Sequence, residues 1–251
     1  MTRATHSRRV LRMPAAVASL VVVALIVRRL GRRSGASHME LLASLPGDAL
    51  VPEPMWHSTR AITIDAPPAA VWPWIVQMGY PAFRAGWYTP HWLDRLQWGI
   101  RERSADRIID ELQTLTVGDR VPDSPDWSVF FTVVEVEPER TLVLRSSRHL
   151  LPPMRSIDFS WAFVLQPLGC ERTRFIVRAR ACYTPRWSWL VLGAPYSLGD
   201  FLNTSNILRA VKHRAEKQTV VTPTAPECDD EIRPHLPSAR FLTVETPASR
   251  A

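Results

Sequence analysis

The stretch Thr-Arg-Ala-Ile-Thr-Ile-Asp-Ala-Pro-Pro-Ala-Ala-Val-Trp-Pro-Trp-Ile-Val-Gln-Met-Gly occupies residues 59–79 and changes its periodicity partway. Residues 59–64 alternate polar and apolar, as a half-buried strand does. Asp65-Ala66-Pro67-Pro68 then signals a helix start, because proline is tolerated in a first turn where its missing N–H costs nothing. Residues 69–78 read as a helix that Gly79 ends, with Pro73 an awkward interior residue that predicts a kink.

Working outward, residues 80–127 are irregular and rich in aromatics. Seven of the ten tryptophans fall between Trp56 and Trp127. Short helices are expected at 90–96 and 105–112, and a turn at Val117-Gly118-Asp119. Four strands then follow in hairpin succession. In 129–136, Phe130, Thr132, Val134 and Val136 are assigned to the inner face. Leu142 and Leu144 follow on the next strand. Ile157, Phe159, Trp161, Phe163 and Leu165 come next, then Phe175, Val177, Ala179 and Ala181. Such period-two alternation predicts an antiparallel sheet with one wet face, on which Arg174, Arg178 and Arg180 form a solvated stripe. A long helix, capped by Ser197 or Asp200 and running to about Lys217, closes the order with a stripe of Leu198, Phe201, Leu202, Ser205, Leu208 and Val211. Before it, the apolar run 187–196 either touches a membrane interface or packs on the domain.

The charge is unevenly placed. The formal net charge is +7, but eight of the 31 basic residues lie in residues 1–37, where there is no acid, leaving 23 against 24 acidic residues in the rest. A body of near-zero net charge excludes a basic, phosphate-tracking surface as the default, so no nucleic-acid partner is expected. The eight arginines bracket an apolar run at 13–27. Counting residues 10–30 gives a helix of about 31 Å, enough to span the ~30 Å hydrocarbon core with arginines at both headgroup layers. An uncleaved membrane anchor is expected there. A cleaved signal is the alternative, with Gly35-Ala36-Ser37 its weak site. The organisation that follows is an N-terminal basic segment with a single anchor (1–37), a lead-in (38–57), a folded domain (58–217) and a disordered tail (218–251).

The opening motif at 59–79, with A-G-W-Y at 85–88, S-A-D-R-I-I-D-E-L-Q at 104–113 and V-G-D at 117–119, resembles the SRPBCC superfamily of START-like, polyketide cyclase/dehydrase-type domains. The resemblance covers about residues 48–217. It implies an α+β helix-grip (START-like) fold, a curved antiparallel sheet wrapped around a long C-terminal helix, here with an N-terminal transmembrane helix added. It also implies an apolar cavity between sheet and helix. Such a cavity suits a large, mostly apolar ligand held by a few polar groups. The residues expected to line it are Phe130, Phe159, Trp161, Phe163, Phe175 and Phe201, with Trp87, Tyr88 and Trp92 of the insert at its entrance. No metal spacing and no nucleophile elbow occurs, and no cofactor is called for. His91 and Asp106 are the weak candidates for acid–base chemistry. The function expected is a membrane-anchored carrier of a lipid, isoprenoid or polyketide-like molecule. The alternative is a cyclase/dehydratase-like enzyme using the same cavity, since fold alone does not decide activity.

Overall fold

The computed structural model describes residues 33–146 and 156–221. The expected anchor at 10–30, and the tail beyond residue 221, lie outside the described residues. Among those described, no helix is long and apolar enough to cross a membrane.

The elements run α1 (His38–Leu42), β1 (Trp56–Ile64), α2 (Pro68–Val76), α3 (His91–Trp98), β2 (Arg120–Pro122), β3 (Phe130–Glu137), β4 (Thr141–Ser146), β5 (Ser156–Pro167), β6 (Thr173–Thr184) and α4 (Ser188–Val221). Six antiparallel strands form one sheet in the order β1-β6-β5-β4-β3-β2. Its centre is the twelve-residue pair β5–β6, in register from Ser156↔Thr184 to Pro167↔Thr173. Alternation sends Phe159, Trp161 and Phe163 of β5, with Phe175 and Val177 of β6, into one large core. Ile207, Leu208, Val211 and Ala215 of α4 meet them there, as do Trp74 and Ile75 of α2.

Polar contacts tie α4 along β1 in the same direction. The Trp56 indole donates to Ser197 Oγ at 3.0 Å. Arg60 and Asp200 form a buried ion pair at 2.5 Å, their side chains 1% and 9% exposed. Further on, Lys212 Nζ donates to the Thr63 carbonyl at 2.8 Å. These contacts explain why the buried stripe of α4 differs from the expected one. Ser197 and Thr204 face inward, Thr204 donating to Asp200 at 3.1 Å. Leu198 is turned out and 48% exposed. The apolar run that precedes them belongs to the helix itself, with Trp189 stacked on Tyr183 at 5.2 Å.

The outer face of the sheet is not wet. Leu45, Ala61, Val143, Ala162, Val164 and Ile176 form a second, smaller core there, with Ala36 and Leu50 packed on it. The arginine stripe is clamped beneath the lead-in. Arg174 pairs with Glu40 at 2.6 Å. Arg178 and Arg180 both pair with Asp48, at 2.8 and 2.9 Å. Arg178 also donates to the carbonyls of Ala43 and Glu40, at 2.7 and 2.6 Å. The Arg174 guanidinium holds the Glu40 carboxyl below its usual range, against the opposing effect of burial. Ser37 caps α1 in a reciprocal box with Glu40. Gly35 has φ of +73°, and a Cβ there would come within 2.1 Å of the Ala61 carbonyl, so the lead-in meets β1 only through a glycine.

Strand β3 corrects three of the four inward assignments, Phe130, Thr132 and Val134, and keeps Val136. Val133 pairs with Leu144 and Glu135 with Val143, so a bulge adds a residue at Val134. Odd-numbered residues face inward before the bulge and even-numbered ones after it. Phe131 and Val133 therefore join the large core, and Phe130 lies on the opposite face with the Arg120 guanidinium 4.6 Å from its ring.

Candidate functional site

The inner face of β5 lays Phe159, Trp161 and Phe163 in a row, with neighbouring ring centroids 6.0 and 4.9 Å apart. Phe131 of β3 packs 5.8 Å from Trp161, and Phe175 of β6 stacks on Phe163 at 6.4 Å. The insert closes over this row through Trp87, whose ring stacks on Trp161 at 5.3 Å and 29°. Tight local packing aims Trp87. Gly86 has φ of +83° and a Cβ there would meet the Ser104 backbone at 2.8 Å, while Tyr88 also takes a positive φ of 59°. The neighbouring Arg84 donates to the Met78 and Val76 carbonyls at 2.7 and 2.6 Å, which satisfies the open end of α2 and pins the insert to it.

Polar groups are sparse in this interior and unevenly satisfied. The indole nitrogens of Trp87 and Trp161 are both buried without a hydrogen-bond partner among the described residues. Asp123 follows β2. Its carboxyl lies among interior atoms beside the Trp87 indole, although the residue as a whole is only half-buried. Burial pushes that carboxyl up to about 7, with the Trp87 N–H opposing the shift. The indole approaches without closing a bond of ordinary geometry. The Tyr196 hydroxyl of α4 is raised well above its usual range by burial first, then by Tyr183, Asp200 and Asp123. Tyr196 itself packs edge-on to Trp56 at 5.1 Å and to Tyr183 at 5.8 Å. Burial also raises Asp200, against the pull of Arg60.

The structure sorts the residues singled out from sequence. Trp87, Phe159, Trp161, Phe163 and Phe175 come together in the aromatic interior, joined by Phe131 instead of Phe130. Phe201 lies beside the ion pair, 5.7 Å from the Arg60 guanidinium. Tyr88 is a latch: its hydroxyl donates to the Trp74 carbonyl at 3.0 Å and accepts from Gln77 at 2.8 Å. Its ring lies 4.6 Å from the Arg214 guanidinium. Trp92 is 65% exposed on α3. His91 begins α3 and acts on the buried Asp94, which accepts from Thr89. Asp106 is exposed and acts on Arg214, so these two acid–base candidates are not brought together. Among the described residues no cluster of His, Cys, Asp or Glu could hold a metal.

No family model matches the chain, and no curated protein matches it. Solved structures similar in shape include a protein from Nitrosomonas europaea, 16% identical, at a TM-score of 0.41 over 69% of this chain and 99% of that one. The Zhui aromatase/cyclase from Streptomyces sp. R1128 is 16% identical at 0.37, over 65% and 95%. A Polyketide_cyc-like protein from Corynebacterium glutamicum is 15% identical at 0.38, over 66% and 94%.

Proposed function

We propose that this chain, whose six antiparallel strands pack against a long C-terminal helix as the resemblance to the SRPBCC superfamily implies, binds a hydrophobic small molecule against its aromatic inner face. The observation that carries the proposal is the Trp87–Trp161 stack, in which the Trp161 indole N–H is buried and unpartnered and that of Trp87 faces only the Asp123 carboxyl. Each unpaired buried donor costs about 1–3 kcal/mol, a penalty that a ligand acceptor would remove. The surrounding rings offer apolar contact area of the kind small-molecule sites use. The arginine-flanked run at 13–27 supports placing this carrier at a membrane, anchored through residues 10–30.

Native mass spectrometry of the protein extracted in mild detergent should find an apolar molecule bound, and Trp161→Ala should lose it. Repeated empty protein, with no thermal shift from fatty acids, isoprenols or anthraquinones, overturns the proposal. A second reading, cyclase/dehydratase-like chemistry, is favoured by Asp123, because a carboxyl titrating near 7 is suited to proton transfer. Under it, Asp123→Asn would co-purify with a precursor one water heavier than the molecule bound to wild type. An identical bound mass in both proteins counts against catalysis.

A further inference from the structure

The chain has three cysteines, Cys170, Cys182 and Cys228. Cys170, in the turn between β5 and β6, is disulfide-bonded. Cys182, on β6, is a free thiol whose Sγ donates to the Glu53 carbonyl at 3.1 Å. We propose that Cys170 bonds to Cys228 of the C-terminal tail and that this bond fastens the end of α4 to the sheet. Cys228 lies outside the described residues, so the pairing is inferred from the two ends it would join.

Those ends leave the domain at the same place. Lys212 Nζ donates to the Thr63 carbonyl at 2.8 Å and Glu216 accepts from the Asp65 N–H at 2.8 Å, so α4 passes the end of β1 in that turn. Thr173 pairs with Ile64 of β1 and donates to the Ala66 carbonyl at 2.7 Å, so the β5–β6 turn begins at the same level. From there both run on in the direction of β1, because β6 is antiparallel to β1 and β5 to β6. The turn reaches Cys170 in three residues, about 10 Å at most, and α4 reaches Val221 five residues past Glu216, about 7–8 Å. Cys228 follows Val221 by seven residues, a reach of up to about 25 Å, ample to bring two Cα atoms within the ~7 Å that a disulfide allows. Cys182 could not serve: nine residues along β6 from Thr173, it stands about 30 Å from the turn.

Bond formation joins the two Sγ atoms, and the two thiol protons and two electrons pass to a disulfide-carrying oxidant, which leaves as its dithiol. Such a bond persists in an oxidising compartment and not against the cytosolic thiol pool, so the domain that carries it belongs outside the cytosol. In the folded chain it would hold the last turns of α4, where the Trp74 indole donates to Gln218 at 3.2 Å.

The test blocks thiols with N-ethylmaleimide in intact cells making the full chain, then maps tryptic peptides without reduction. Trypsin leaves the three cysteines in separate peptides, 156–172, 181–186 and 218–240. Peptides 156–172 and 218–240 should appear joined within one chain, with 181–186 carrying the maleimide. A reductant should lower the unfolding midpoint of wild type by about 5–15 °C. Cys170→Ser, Cys228→Ser and the double variant should each start at that lower midpoint and not respond to reductant. Maleimide on Cys170 and Cys228, a link to Cys182 or to a second chain, or a wild-type midpoint that ignores reductant overturns the proposal.

Discussion

At the residue scale, Asp123 separates two carboxyls that look alike in the chain. Asp123 and Asp126 share a turn-like stretch, Val-Pro-Asp-Ser-Pro-Asp, at 121–126. Asp126 accepts from Ser124 and Ser128 at the surface, which draws it down to about 2. Burial pushes Asp123 the other way, to about 7, from an ordinary value of 3.8. Between those two pH values the folded protein holds a proton that the unfolded chain has lost. Stability therefore falls as pH rises through that window and levels off above it. Urea unfolding at pH 5 and pH 8 should show a drop in wild type that Asp123→Asn largely removes. Equal drops in both would mean the carboxyl is solvated. Nothing local marked Asp123 in the sequence, because the Trp87 indole beside it comes from the insert and not from its own turn. Trp161 and its neighbours were legible, since alternation along β5 is a local property. Tyr88 was assigned beside Trp87 in the insert, but its positive φ sends it to the α2 latch instead.

At the element scale, β3 and α4 show where periodicity misleads. The pattern of β3 fits even-numbered residues inward, yet the bulge at Val134 shifts its phase and exchanges Phe130 for Phe131. A bulge is set by strand pairing, which a single strand's pattern does not contain. On α4, the inward face carries Ser197, Asp200 and Thr204 because β1 offers Trp56, Ser58 and Arg60 opposite them. Asp200→Ala should cost about 3–5 kcal/mol, measured by urea unfolding, because it leaves Arg60 buried without its carboxylate. The double variant Arg60→Met with Asp200→Leu should recover most of that loss. A loss below about 1 kcal/mol in the single variant would show that water reaches the pair.

The lead-in makes a similar point about the outer face. Arginines at alternate positions of β6 look like a solvated stripe until Glu40 and Asp48 are known to lie over them. Arg178→Ala removes the side chain that holds Asp48 and the Ala43 and Glu40 carbonyls. It should expose residues 38–54 to limited proteolysis at least tenfold faster than wild type while the sheet core stays protected. The Arg174–Glu40 pair adds acid sensitivity of the opposite sign to Asp123. Its stabilisation is full above the ordinary glutamate range, 4.5, and is lost as pH falls through the lowered folded value.

At the scale of the whole molecule, the sheet is covered on both faces, and the two covers differ in kind. The outer cover is a short segment of the same chain, fixed by ion pairs and a small apolar core. The inner cover combines α4, packed along β1 and β6, with the insert, whose Trp87 closes over the aromatic row. The described chain enters at residues 34–36, which lie against β1 and the outer face. Deleting residues 1–32 should move the protein from the membrane pellet to the supernatant without changing its unfolding midpoint. An unchanged distribution in sedimentation would remove the anchor from the proposal.

The most direct test of ligand binding on the inner face uses the indole N–H signals of the ten tryptophans. In nitrogen-15 correlation spectra, Trp87→Phe and Trp161→Phe assign the two interior signals. Titration with 1,8-dihydroxyanthraquinone should shift those two downfield in proton frequency as their N–H groups gain an acceptor, leaving the signals of exposed Trp92 and Trp187 in place. Movement confined to Trp92 and Trp187, or no movement at all, would contradict a ligand site on the aromatic inner face.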